Sequence, residues 1–287
     1  MITMLDYKMH TFLTLCETMN YTLAAQKLHI TQPAVTQHIR ALEAHYGCKL
    51  FTYDGKRLSK TSQGELLERS GHAMRYQESQ TMAQMQDTRG KHLSIGATKS
   101  IGEFVIPDQL GRYLTAPNHT LRVEVDNTEK ILALIDKGEL DFALIEGFFN
   151  KTQYDSRLYR KEPFVGLCSV NHPFAGKTVS LSQLWKENLF LREEGSGTRK
   201  ILEDVLAKYN HTVQDFSRVT CISNFGLLEQ LVSTGNGITF AYAAIAENNE
   251  KLTQFKVENW DIHREFNYVY LKNVGAESLI DYFEQYR

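Results

Sequence analysis

The stretch YTLAAQKLHITQPAVTQHIRALEAHYGCKLF, residues 21–51, decides the amino-terminal fold. Thr22 can cap a helix carrying Leu23, Ala24, Ala25 and Leu28, and a tight break follows at His29-Ile30-Thr31. Thr31 can cap the next helix, whose first turn tolerates Pro33. Val35, Ile39, Leu42 and Tyr46 then recur at the spacing of one buried helix face, and Gly47 is a suitable residue to end it. With that face inward, Gln32, Thr36, Gln37 and Arg40 form an outward polar face. Upstream, Met9, Phe12, Leu13 and Cys16 mark the apolar side of a preceding helix. Downstream, Asp54-Gly55-Lys56 separates two short extended segments, a hairpin signal. Two helices with a tight break, followed by a hairpin, predict a winged helix-turn-helix.

The polar face suits a major groove. Gln pairs with adenine edges, Thr reaches base edges and methyl groups, and Arg reaches guanine or phosphate. Gln32, Thr36 and Gln37 are therefore candidate base or phosphate contacts, with Pro33 and Ala34 at the groove floor. Arg40 and the wing residues Lys56 and Arg57 are candidate phosphate contacts. The plainer alternative is a solvated helix face. Charge supports the first reading. The whole chain of 287 residues carries 32 Lys+Arg against 34 Asp+Glu. Residues 1–63 nevertheless hold seven bases (Lys8, Lys27, Arg40, Lys49, Lys56, Arg57, Lys60) and four acids (Asp6, Glu17, Glu43, Asp54). A basic head on an acidic body points to a polyanion partner for the head alone.

Beyond the head, residues 61–88 are a long polar segment with a thin apolar stripe of Leu66, Leu67, Ala73, Met74, Met82 and Met85. A helix of that length spans ~42 Å and needs a partner to cover its stripe, so it is expected to dimerise and to end at Arg89-Gly90. From residue 91 strands and helices alternate, which indicates an α/β body. Strand candidates are Leu93–Ala97, Leu121–Val125, Phe142–Ile145, Phe164–Ser169, Leu189–Leu191, Val219–Ile222, Ile238–Tyr242 and Phe266–Leu271. Helix candidates include Ile131–Lys137, Arg199–Tyr209 and Phe225–Thr234. The strand spacing repeats, which suggests two similar lobes. Ser156–Ser169 can cross from lobe one to lobe two and His263–Leu271 can cross back, with the carboxy-terminal helix (Leu279, Ile280, Phe283) in lobe one.

Ligands of α/β sheets sit beyond the carboxyl ends of the strands. Four ends stand out: Thr98-Lys99-Ser100, Glu146-Gly147, Glu194-Gly195-Ser196-Gly197-Thr198-Arg199 and Ser223-Asn224-Phe225. The third opens a helix, so its backbone N–H groups and hydroxyls form a nest for an anion, with Arg199 as an added cation. An ordinary Gly-rich turn with Thr198 as the helix cap is the plainer alternative. The candidate effector contacts are Thr98, Ser100, Ser196, Gly197, Thr198 and Asn224.

Residues 21–51 resemble the amino-terminal domain of LysR-type transcriptional regulators. The matching pieces are Ala24-Ala25, Leu28, Thr31 to Thr36, Ile39, Leu42-Glu43, Gly47, Leu50-Phe51 and the downstream Thr61-x-x-Gly64. The layout of the whole chain is also similar. The resemblance implies a winged helix-turn-helix at 1–60, a linker and dimerisation helix at 61–90, and an effector-binding domain at 91–287. That domain would resemble type 2 periplasmic binding proteins, with lobe one at 91–162 and 267–287 and lobe two at 163–266. It further implies double-stranded DNA and a small effector as partners, the anionic character being read from the Gly-rich helix start, a homodimer building to a homotetramer, and RNA polymerase as a candidate partner. The segment Gly195 to Arg199 resembles a subgroup that includes regulators of sulfur assimilation and carbon fixation. Tyr53 stands where the family often has Arg, which leaves Lys56 or Arg57 to supply that phosphate contact.

No catalytic or metal-ligating set and no cofactor motif is expected. The sequence lacks HExxH, GxSxG, a P-loop and paired CxxC. The four cysteines are scattered and read as reduced, mostly buried thiols of a cytoplasmic protein. The opening MITMLDYKMH lacks a signal peptide's apolar segment, and the most apolar stretch, Gly237 to Ala246, is too short to span a membrane. An enzyme built on binding-protein-like lobes, as in prephenate dehydratases, is the competing class, but no nucleophile, base and orienter can be assembled. A constitutive architectural DNA-binding protein is the third, and it predicts no response to ligands.

Overall fold

The computed structural model describes residues 5–86, 92–247, 249–272 and 274–287. The head consists of α1 (Tyr7–Thr18), α2 (Tyr21–Leu28) and α3 (Gln32–Tyr46), then the wing strands β1 (Phe51–Tyr53) and β2 (Leu58–Lys60). Phe12, Leu13, Leu15, Ala24, Val35, Ile39, Leu42 and Leu50 close its core. Two expectations are corrected here. The cap of α2 is Asn20, whose Oδ1 accepts from Thr22 and Leu23 N–H at 2.9 and 3.1 Å, so Thr22 lies inside the helix. Tyr46 is exposed, because α3 outruns the three-helix core after Leu42. Thr31 does cap α3, accepting from Ala34 N–H, and Gly47 ends it at φ 67°.

The wing leads into α4 (Ser62–Met85) through the Thr61 cap, which accepts from Gly64 N–H at 2.9 Å and donates to Lys49 O at 2.7 Å. A Cβ on Gly64 would lie 2.2 Å from Leu50 O, so this position needs glycine for close approach. The single stripe expected on this helix is two faces. Gly64, Leu67, Gly71, His72 and Tyr76 are buried within the chain, whereas Leu66, Met74, Met82 and Met85 are exposed. The expected end at Arg89-Gly90 lies outside the described residues.

The body follows as β3 (His92–Thr98), α5 (Lys99–Phe104), α6 (Pro107–Leu114), β4 (Thr120–Asp126), α7 (Thr128–Asp136), β5 (Phe142–Glu146) and β6 (Tyr154–Ser169). It continues with β7 (Thr178–Val179), α8 (Leu181–Leu184), β8 (Asn188–Leu191), α9 (Gly197–Lys208), β9 (Arg218–Cys221) and α10 (Phe225–Ser233). The last elements are β10 (Thr239–Tyr242), α11 (Ala244–Glu247), β11 (Leu252–Val257), β12 (His263–Leu271) and α12 (Glu277–Glu284). Strands β4, β3 and β5 run parallel, and β12 closes them antiparallel from Phe266. The 16-residue β6 is the shared beam. Tyr154 to Pro163 pair with β12 except at Tyr159, where the register shifts, and from Phe164 onward the strand pairs with β10 and β11. Strand β8 pairs parallel with β9 and bridges to Ile238 ahead of β10.

Helix α12 packs on the first lobe, where Phe283 meets Phe142 and its carbonyl accepts from Gln109. Strands β7 and β11 and helices α5 and α6 were not legible as separate elements. Cys16 and Cys168 are buried, Cys48 is half-buried and Cys221 is exposed, so the thiols are less hidden than expected.

Candidate functional site

On α3, Gln32, Pro33, Gln37 and Arg40 are exposed, and Ala34 and Thr36 are half-buried. Gln32 Nε2 donates to Thr36 Oγ1 at 3.1 Å, and that hydroxyl donates to Gln32 O at 3.2 Å, so the two side chains are held as one polar unit. Thr36, Arg40 and Lys56 line a groove of about 540 Å³ with Tyr53 and the start of α2, while Gln32, Pro33, Ala34, Gln37 and Arg57 do not line it. The wing turn is tied by Asp54, which accepts from Lys56 and Arg57 N–H at 2.9 and 2.7 Å; these bonds hold its carboxyl below the usual range. Lys27, Lys49 and Lys60 are spent on Glu17, Glu43 and Glu68. Among the described residues, no acid lies within ion-pair distance of Arg40, Lys56 or Arg57. The unpaired cations of the head thus lie on α3 and the wing.

The second site is a cleft of about 450 Å³ at the carboxyl ends of β3, β4, β5 and β8. It contains Thr98, Ser100, Ser196, Gly197 and Thr198 together. Helix α9 begins at Gly197, two residues before the expected Arg199, with Ser196 as its N-cap. Ser196 makes no capping bond to the backbone; its Oγ lies 3.0 Å from Thr198 Oγ1 instead. The first N–H groups of α9 therefore open toward the cleft without a side-chain cap. Gly195, at φ 85°, provides the left-handed turn that aims them.

Asn224 does not join this set. It caps α10, accepting from Leu227 N–H at 2.8 Å, and it lies outside the cleft lining. Lys99 and Arg192 both engage Glu193, Lys99 at 3.8 Å and Arg192 through two bonds of 2.8 and 3.0 Å. The Arg199 guanidinium turns to Glu203 at 2.8 Å and Glu194 at 3.6 Å.

Glu146 stands at one of the four strand ends singled out in the sequence but is absent from the candidate effector contacts. It ends β5, whose other four residues are apolar and buried, and it lines the cleft floor. The same side chain borders a second recess of about 560 Å³ that reaches Ile201, Tyr242 and Arg264. A Cβ on Gly197 would lie 3.8 Å from Glu146 Oε1, so the carboxyl from one lobe reaches the first turn of α9 on the other. Burial pushes its pKa up to about 7; the nearby Ser100 and Thr98 hydroxyls and Arg192 pull it back only partway. Glu146 Oε2 and Thr98 Oγ1 are buried without a partner at hydrogen-bond geometry, as is Tyr242 OH. The signal was present in the sequence as an acid closing an otherwise apolar strand.

Strand β5 also reaches the linker helix. At its start, Asp141 accepts from Ser94 N–H at 2.7 Å and, from α4, Tyr76 OH at 3.0 Å and Gln80 Nε2 at 2.7 Å. Arg75 of α4 donates to Lys137 O at 2.7 Å beside it. One five-residue strand, spanning roughly 17 Å, joins the cleft to α4. Among the described residues no group of three or more His, Cys, Asp or Glu could hold a metal ion, and no helix is long and apolar enough to cross a membrane.

Two family models match. The bacterial regulatory helix-turn-helix protein, lysR family, matches residues 7–65, and the LysR substrate binding domain matches residues 86–286. The chain is 28% identical over 269 residues to the HTH-type transcriptional regulator CysL of Bacillus subtilis, covering 91% of this chain and 89% of that protein. It is 27% identical to the RuBisCO operon transcriptional regulator of Allochromatium vinosum, covering 88% and 84%. In structure it is similar to a full-length OxyR variant from Pseudomonas aeruginosa, with a TM-score of 0.67, 18% identity and coverage of 97% and 93%. It is also similar to the Synechocystis CcmR regulatory domain in complex with 2-PG, with a TM-score of 0.58, 21% identity and coverage of 68% and 96%.

Proposed function

The chain belongs to the LysR family of transcriptional regulators, ligand-responsive DNA-binding proteins rather than enzymes, and from that premise we propose how this member reads its DNA and its effector. Gln32, Thr36 and Gln37 contact base edges or the adjacent phosphates, Pro33 and Ala34 pack at the groove floor, and Arg40, Lys56 and Arg57 hold phosphates. The division is a head at 1–60, a linker at 61–90 and an effector domain at 91–287, with lobe one at 91–162 and 267–287 and lobe two at 163–266. The exposed Leu66, Met74, Met82 and Met85 face of α4 pairs across a dimer, and the body adds a second contact to give a tetramer. The protein acts in the cytoplasm on double-stranded DNA, with RNA polymerase as its further partner.

The effector is a small anion held in the cleft by Thr98, Ser100, Ser196, Gly197 and Thr198. The observation that carries this reading is the uncapped start of α9, facing hydroxyls from the opposite lobe. The positive end of a helix dipole favours an anion there. The similar CcmR regulatory domain forms a complex with 2-PG, which supports a small ligand at this kind of domain. Binding shifts the lobes, and β5 carries the shift to α4 through Asp141, which changes the spacing of the two heads.

The test is calorimetry of the full chain with small oxyanions (sulfate, phosphate, glycerate). Thr198→Val should weaken binding by roughly 5–10-fold, the worth of one hydrogen bond. Unchanged affinity with the fold intact moves the site away from α9. For the head, Gln37→Ala should cost about 1–3 kcal/mol on a specific operator and little on random DNA. Equal losses leave Gln37 only a phosphate role.

A further inference from the structure

We propose that Glu146 makes the cleft select an oxyanion that also carries a hydrogen-bond donor, a hydroxy acid or an amino acid, over an oxyanion that carries none, such as sulfate. The inference rests on the reading of the cleft as the effector site, and it names the class of ligand that site takes.

A buried carboxylate is normally held by a cation or by backbone N–H groups. Glu162, as buried as Glu146, shows the usual solution: it accepts from Ala244 N–H at 2.8 Å, and Arg160 lies 2.9 Å away. Among the described residues Glu146 has neither. It is 9% exposed, and its Oε2 has no partner there. The two cations that line the cleft with it are engaged elsewhere. Arg192 is bidentate on Glu193 and lies 5.2 Å over the Phe225 ring, and Lys99 reaches the same Glu193. In the described cleft lining both cations are thus paired with one acid, Arg192 through hydrogen bonds and Lys99 at 3.8 Å, and a carboxyl lies within contact range of the α9 start where an oxyanion would sit.

A bare sulfate at α9 would face the Glu146 carboxylate with no donor to give it. A ligand whose oxyanion sits on the α9 N–H groups, and whose hydroxyl or ammonium points across the cleft, would donate to Glu146 at Oε1, the oxygen that faces the α9 start, and offset the charge of a carboxyl whose Oε2 is unpartnered. Of the other buried hydroxyls without partners here, Thr98 Oγ1 shares the cleft with Glu146 and Tyr242 OH shares its second recess. The Thr98 hydroxyl can donate to or accept from such a ligand.

The experiment is isothermal titration of the full chain at pH 8 with four probes: L-serine and glycerate, which carry donors, and propionate and sulfate, which do not. The wild type should bind at least one donor-bearing probe roughly 10-fold or more tighter than either donor-less probe, as expected for a bond to a charged acceptor. Serine leading indicates ammonium recognition, and glycerate leading indicates hydroxyl recognition. In Glu146→Gln the preference should fall to about 3-fold or less, while sulfate binds at least as well as before. Glu146→Asp, which keeps the charge, should retain part of the preference, and circular dichroism on both variants checks the fold. Equal binding of donor-bearing and donor-less probes by the wild type overturns the proposal, as does a preference that survives Glu146→Gln. If none of the probes binds the wild type, or Thr198→Val leaves all affinities unchanged, the cleft reading itself fails and this inference falls with it.

Discussion

The head and the cleft use the same residue types at helix starts and leave them in opposite states. In the head, Asn20, Thr31 and Thr61 each accept a backbone N–H from the helix they begin. In the cleft, Thr98 and Ser196 stand at the starts of α5 and α9 and make no such bond. Of the described buried side-chain atoms that lack a hydrogen bond, Thr98 Oγ1, Glu146 Oε2 and Tyr242 OH border the cleft and its second recess, and none lies in the head. The contrast separates two kinds of site. The head is finished without a partner and presents its unused groups, Arg40 and the wing cations, to solvent. The cleft keeps unused groups in its interior, where they cost stability until a ligand meets them.

The sharpest way to break this comparison is Glu146→Gln. Burial raises the folded-state pKa of Glu146 from 4.5 to about 7. A raised carboxyl pKa contributes stability that is fully present below about pH 4.5 and lost as pH rises through about 7. Relative to Glu146→Gln, the wild-type body should therefore lose roughly 3 kcal/mol across that window and stay level above it. Denaturant unfolding of both proteins at several pH values measures the difference, and a flat difference would mean that burial does not strain this carboxyl.

Next in size is Gly64→Ala. A methyl 2.2 Å from Leu50 O forces the wing and linker apart and should cost the head about 2 kcal/mol, read from denaturant unfolding. A neutral result would show that the joint is looser than its geometry. Thr61→Ala removes a working cap and should cost about 1 kcal/mol in the same measurement.

The smallest effect is the most telling. Thr98→Val removes a hydroxyl that caps no helix and makes no bond of full hydrogen-bond geometry, so stability should change by less than about 0.5 kcal/mol or improve, while ligand affinity falls. A loss as large as that of Thr61→Ala would mean that the two hydroxyls are alike and the comparison is empty.

Much of this was legible beforehand because the signals were local. Val35, Ile39 and Leu42 declare their face through helix periodicity, and Gly47 declares its end through backbone freedom. Ser196 to Thr198 were legible as a Gly-rich helix start. Asn224 was not, because cap and ligand contact look identical in sequence: a short polar side chain ahead of an apolar helix. Leu252–Val257 was missed as a strand because its alternation is short and its pairing with the far end of β6 is long-range.

By itself, the sequence determined the order of the parts: a winged helix-turn-helix, a long linker helix and an α/β body whose Ser156–Ser169 segment crosses between halves. Periodicity, caps and turns act within a few residues, so they can be read along the chain. Tertiary structure alone decided which charges remain free. Arg192 is held bidentate on Glu193 and Lys99 lies 3.8 Å from the same acid, whereas Arg40, Lys56 and Arg57 stayed available because no acid among the described residues folds against them. It also brought Glu146 from the end of one strand to the first turn of a helix some fifty residues on. Pairing of charges depends on distances across the fold, and those are set by the packing of whole elements rather than by any stretch of sequence.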